Sequence, residues 1–150
     1  MYICSKITFW RGIILGKLNL RNVELVLLFL GIAVALYLTI EHFIPGVLAC
    51  SNSGLIDCQK VLTSRFSTIL GIPIALMGLV WAALMFLAVY KGIQKTAIYI
   101  LAGIGILAVL YSISAQYAIE NICEYCLSLD IIIILTVSIQ VIRDRRRGIA

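Results

Sequence analysis

Long runs without a charged residue dominate this chain. Residues 69–90 form one of 22 residues and residues 96–119 one of 24. Residues 25–40 carry no charge between Glu24 and Glu41, and the apolar character extends through Phe43 and Ile44. Residues 122–142 are equally long but hold Glu124 near the start and Asp130 inside. Crossing a bilayer takes about 20 helical residues at a rise of ~1.5 Å each. In hydrocarbon every backbone polar group must be satisfied within the protein, which leaves helices or closed barrels. No period-2 alternation supports a barrel. The expected fold is therefore an all-α integral membrane bundle of four transmembrane helices, at 23–44, 69–90, 96–119 and 122–142. A basic arm (1–22) and a basic tail (143–150) flank the 23–142 membrane domain. The 63% hydrophobic content of the 150 residues agrees with this, being well above the ~45–50% of soluble domains.

Lys and Arg set the orientation. Lys6, Arg11, Lys17 and Arg21 precede the first span, Lys91 and Lys95 join the second to the third, and Arg143, Arg145, Arg146 and Arg147 follow the fourth. Ten of the 12 basic residues thus share one side, which makes both termini cytoplasmic. The opposite side holds only Lys60 and Arg65 among the basic residues. The +5 net charge therefore reads as membrane flank rather than a nucleic-acid surface. The N-terminal arm is too interrupted by Lys6, Arg11 and Lys17 to be a signal peptide. Its Ile3, Ile7, Trp10, Ile13, Ile14 and Leu18 suggest a helix lying on the cytoplasmic leaflet.

Four of the five cysteines form two pairs, Cys50/Cys58 and Cys123/Cys126, both on the extracytoplasmic side, where disulfides persist. The expected location is the plasma membrane more than the endoplasmic reticulum. Cys4 stands alone on the cytoplasmic side and reads as a reduced thiol. Cys123 and Cys126 share a helix face at the start of the last span. Unpaired N–H groups and the helix dipole there favour thiolate, the reactive form. Cys123 lies nearer water and Cys126 about one turn deeper. Cys50 and Cys58 lie in the long connection of residues 41–68, with Ser51-Asn52-Ser53-Gly54 between them. After them Cys58, Val61, Leu62, Arg65 and Phe66 fall at helical spacing, which predicts a short amphipathic helix over the bundle mouth.

A relay by thiol–disulfide exchange follows from this order. An outside dithiol attacks Cys50, the released Cys58 attacks Cys123, and Cys126 leaves facing the membrane. The final acceptor must take two electrons and dissolve in lipid, which points to a quinone. An inert disulfide, or four thiolates around zinc, are the plainer readings of the same cysteines.

The order C-x7-C, then Val-Leu-Thr-Ser-Arg-Phe at 61–66, then Gly71-Ile72-Pro73 opening a span, then Cys123-x2-Cys126 resembles the vitamin K epoxide reductase family. The likeness is to its single-domain prokaryotic-like form and covers roughly residues 24–143. It implies a four-helix bundle around a quinone of ubiquinone, menaquinone or vitamin K type. It also implies Cys50 and Cys58 as shuttle cysteines and Cys123 and Cys126 as the redox centre, with Ser64 on the helix above the quinone. Asp130 stands where many animal members carry a tyrosine, and the apolar residues 71–74 offer no match for their quinone-contacting asparagine. Thiol oxidation at the expense of a quinone therefore fits better than vitamin K quinone or epoxide reduction, the alternative within the family. Many prokaryotic relatives carry a fused thioredoxin-like domain, so the expected partner here is a separate thioredoxin-like protein.

Cys123, Cys126 and Asp130 fall at i, i+3 and i+7, on one helix face. An ionisable group at membrane depth is expensive and functional by default. Asp130 is accordingly a candidate to hydrogen-bond a quinone oxygen or to give it a proton. Trp81 and Phe86 in the second span, with Tyr111 and Tyr117 in the third, are further candidates for a quinone pocket. His42 reads as interfacial, and Ala102, Gly103 and Gly105 as close helix packing. From another class, the chain could be a small four-span transporter or an assembly scaffold with structural disulfides; a transporter would keep working with all four paired cysteines changed to serine.

Overall fold

The computed structural model describes residues 19–44, 46, 54 and 56–149, with side chains through Arg146. The interfacial arm expected at the N-terminus, Cys4, Cys50 and residues 51–53 lie outside the described residues. Among the described residues there are four long helices: α1 (Leu20–Phe43), α3 (Ile74–Lys91), α4 (Lys95–Ile119) and α5 (Glu124–Ile149). Each is long and apolar enough to cross a membrane. Between α1 and α3 come a five-residue helix, α2 (Cys58–Leu62), a 3-10 turn (Arg65–Ser67) and a two-stranded hairpin, β1 (Thr68–Ile69) and β2 (Ile72–Pro73).

The bundle is a ring in which α1 packs on α3, α3 on α4, α4 on α5 and α5 back on α1. The seam of α1 is set by spacing. Glu24, Leu28, Gly31, Ala35 and Leu38 are buried, recurring every three to four residues along one face. Gly31 lets α5 approach, since a Cβ there would already sit 3.3 Å from Ile132 Cγ2. The other faces carry large apolar side chains turned outward, among them Val26, Phe29 and Leu36. Water would penalise that surface and lipid does not. At the basic end of the bundle Arg143 Nη1 meets Glu24 Oε2 at 2.7 Å, joining α5 to α1. The same arginine donates to Gln140 Oε1.

Hydroxyls inside the spans mostly turn back on their own helix. Thr39, Ser114, Thr136 and Ser138 each donate to the carbonyl four residues earlier, at 2.7–2.8 Å. This is the local way to satisfy a hydroxyl where water is absent.

Two boundaries differ most from the hydropathy reading. The second helix starts at Ile74, not at Ile69, because residues 68–73 form the hairpin. Leu70 and Gly71 both take positive φ, 54° and 82°, as a tight two-residue hairpin turn requires. Pro73 is then the N-cap of α3, where its missing N–H costs nothing. The last helix runs on past residue 142 to Ile149, its basic residues favourably placed at the negative end of the helix dipole.

Candidate functional site

The site lies at the end of the bundle capped by α2. Asp57 starts that helix, its carboxylate accepting the Lys60 N–H at 2.9 Å. Cys58, Val61 and Leu62 point inward and are buried, while Gln59 and Lys60 are exposed. The amphipathic segment expected from spacing thus ends at Leu62. Arg65 and Phe66 fall in the 3-10 turn and are exposed. Two bonds hold the cap down. His42 Nδ1 donates to the Leu62 carbonyl at 3.2 Å, and Tyr111 Oη donates to the Phe66 carbonyl at 3.2 Å. His42, read from sequence as interfacial, is therefore part of the site.

The segment ahead of Cys58 runs parallel to the one ahead of Cys123. Ile56 and Ile122 form a bridge, and the Asp57 N–H donates to the Ile122 carbonyl at 3.2 Å. Cys58 is disulfide-bonded, its partner lying outside the described residues. It therefore offers no thiolate for a four-cysteine zinc site. Cys123 and Cys126 are both free thiols.

Cys123 precedes α5 and caps it. Its carbonyl accepts the Leu127 N–H at 2.9 Å, and its Sγ accepts the Cys126 N–H at 3.2 Å. The sulfur thus takes the place of the oxygen in an ordinary serine or aspartate N-cap. Its thiol pKa is lowered from the ordinary value. The hydrogen bond from the Cys126 side chain is the main cause, burial opposes it, and the Cys126 and Tyr125 backbone N–H groups add to it. Cys123 is fully buried, while Cys126 is only partly so.

Cys126 faces a cavity of about 360 Å³ enclosed by the four long helices and the cap. Its lining is mostly apolar, and the few polar groups come from α1, the cap, α4 and α5: His42, Ser64, Ser67, Tyr111, Ser112, Gln116 and Asp130. Such a mixture suits an apolar ring with one or two polar substituents. Met77, Ile104 and Leu107 line the cavity and are also 45%, 50% and 67% exposed, so the wall between α3 and α4 is open to the surroundings of the bundle.

Of the pocket residues expected from sequence, Ser64, Trp81, Tyr111, Cys126 and Asp130 line the cavity. Tyr117 does not. It is 87% exposed on the outer face of α4, because six residues from Tyr111 at about 100° each turn it some 120° away. Phe86 is also elsewhere, stacked on Tyr90 with ring centroids 6.3 Å apart. Sequence reasoning missed Ser112 and Gln116. Their signal was present: two polar side chains one turn apart in an otherwise apolar span.

The glycines expected to pack closely also separate. Nothing lies near a Cβ built on Gly103, whereas one on Gly105 would come within 2.6 Å of Trp81 Cζ2 and 3.1 Å of Ile133 Cγ2. Trp81 is pinned there by its Nε1, which donates to the Leu101 carbonyl at 2.7 Å. A Gly105→Ala substitution is expected to force the indole into the cavity, with an overpacking cost of roughly 1–3 kcal/mol. A lower melting temperature in detergent and an altered tryptophan emission spectrum would check it. Unchanged values of both would show that the indole has room to move.

A buried dithiol beside a membrane-facing cavity defines a class, the multi-pass membrane oxidoreductases. The model of the Vitamin K epoxide reductase family matches residues 23–141, most of the chain. The chain belongs to that family. No curated protein matches it.

Proposed function

We propose that this protein is a quinone-dependent thiol oxidoreductase that reoxidises a separate thioredoxin-like protein on the extracytoplasmic side, so supporting disulfide formation. The observation that carries the reading is the division between two adjacent cysteines. Cys126 lines a cavity open to the bundle's surroundings, while Cys123 sits beside the bridge that ties in the Cys58 segment. One sulfur is thus suited to exchange with the loop and the other to a lipid-soluble acceptor.

The cavity fits a quinone headgroup by its apolar lining and its few polar groups, with Asp130, Ser64 and Tyr111 among the lining residues and Trp81 as a flat wall. A bound quinone supplies the two-electron sink. Oxidation of the Cys123 and Cys126 thiols to a disulfide releases two electrons and two protons, the amounts that convert a quinone to a quinol. In the preceding exchange Cys58 takes the Cys123 sulfur and frees Cys126 as a thiol, and Cys50 then closes on Cys58 and frees Cys123, which leaves both thiols reduced. Asp130, one turn beyond Cys126 on the same face, holds a proton at the cavity wall.

Cysteine trapping tests the order. In a Cys58→Ser variant Cys50 is left as a thiol, so, offered the oxidised form of a thioredoxin-like protein, it is expected to take one sulfur of that disulfide, release the other as a thiol and remain linked at Cys50. Peptide mapping of the adduct reads this out. Attachment only at Cys123, or no adduct, would overturn the order.

A further inference from the structure

Ser112 breaks the habit of the other span hydroxyls. Instead of turning to its own helix, its Oγ donates across to Asp130 Oδ2 at 2.8 Å. One turn further along α4, Gln116 Nε2 donates to Ser112 Oγ at 3.3 Å, and Gln116 Oε1 accepts the Cys123 N–H at 2.9 Å. A chain of three hydrogen bonds therefore leaves α5 at Cys123, passes through two α4 residues, and returns to α5 at Asp130. Gln116 is buried at 8% exposure and Asp130 at 4%, and both line the cavity with Ser112.

The direction of the chain follows from what each group can do. A backbone N–H only donates, so Cys123 requires the oxygen of the Gln116 amide. The amide nitrogen is then left for Ser112, and it too only donates. Ser112 must use a lone pair for Gln116, which turns its single proton toward Asp130. Asp130 Oδ2 is thereby committed as an acceptor, and Oδ1 is left for the cavity.

We propose that Gln116 and Ser112 are positioning residues: anchored on the Cys123 amide, they orient the Asp130 carboxyl so that Oδ1 carries its proton at the cavity wall. The inference rests on the reading of Asp130 as the proton-holding group. It also joins the redox pair to that group, since Cys123 sits at one end of the chain and Asp130 at the other. When Cys123 changes between thiol and disulfide, its amide moves the anchor of the whole chain.

The test uses the full-length protein in detergent and two readouts. One is the infrared difference spectrum between the dithiol and disulfide forms, recorded without quinone, in which Asp130→Asn identifies the Asp130 carboxyl band. The other is quinone turnover. Ser112→Ala is expected to shift that band and to lower kcat about tenfold, the worth of a hydrogen bond to an ionisable group, with little change in KM for quinone. Gln116→Glu keeps an acceptor for the Cys123 N–H but loses the donor to Ser112. It is expected to reproduce Ser112→Ala, and the double variant should be no worse than either single one. A band that neither Ser112→Ala nor Gln116→Glu moves would overturn the positioning role, whatever the turnover. So would independent, multiplying losses in the double variant. Wild-type turnover in Asp130→Asn would instead remove the parent reading, so the two failures are distinguishable.

Discussion

A Cys126→Ser variant is expected to lose quinone-dependent turnover, to below about a thousandth of the wild-type rate, as when an essential nucleophile is removed. Serine is close in size, and its backbone N–H still reaches the Cys123 sulfur, so the start of α5 is retained. The hydroxyl neither closes a disulfide nor gives up electrons. With Cys126 gone Cys123 stays a thiol, which attacks the loop disulfide at Cys58 and releases the other loop sulfur as a thiol, and no neighbouring sulfur then draws Cys123 out of the link. A Cys58–Cys123 link should therefore accumulate and be found by peptide mapping under non-reducing conditions. Cys123→Ser is expected to lose turnover equally but to form no such link. If Cys126→Ser turned over quinone at the wild-type rate, the sulfur facing the cavity would have no part in the chemistry.

The Asp130→Asn substitution should lower kcat about a hundredfold, at the low end of what a positioned proton donor contributes, while KM for quinone changes little. Asparagine has nearly the same shape, and its carbonyl can still accept from Ser112. Packing around the cavity persists, and only the ionisable proton is lost. The measurement is quinol formation at saturating thiol substrate over a range of pH. A wild-type rate at every pH would show that the two thiol protons reach the quinone without Asp130. A raised KM with unchanged kcat would make the carboxyl a binding group instead.

The two thiols differ in their surroundings because of where the helix begins. Cys123 stands one residue ahead of α5, so its sulfur can cap the helix and is drawn toward thiolate. Cys126, a turn later, has rotated to the cavity. A CxxC pair at a helix start provides both environments with no insertion between them. The parallel bridge at Ile56 and Ile122 supplies the third element, holding the Cys58 segment beside the capping cysteine rather than the cavity cysteine.

Much of this was legible in order along the chain. Hydrocarbon tolerates so few charges that runs such as 69–90 and 96–119 announce spans by length alone. The CxxC at the start of the last span and Asp130 one face further along follow from 3.6-residue geometry within one helix. Rotation of a span about its axis was much less so. A helix that is apolar all round has no hydrophobic stripe to say which face meets its neighbours. Tyr111 and Tyr117 looked alike for that reason, yet one lines the cavity and the other is 87% exposed. Gly103 and Gly105 differ in the same way, only the second lying against Trp81. The hairpin at residues 68–73 was hidden because its apolar residues prolong the run that becomes α3.

By itself, the sequence determined that this is a four-span membrane bundle with two cysteine pairs and one carboxyl at membrane depth. Those facts depend on composition and on spacing within single helices. Only the tertiary structure decided which aromatics form the cavity wall and that Gln116 and Ser112 join Cys123 to Asp130. Those contacts cross between helices, where the angle of each helix about its own axis sets what touches what.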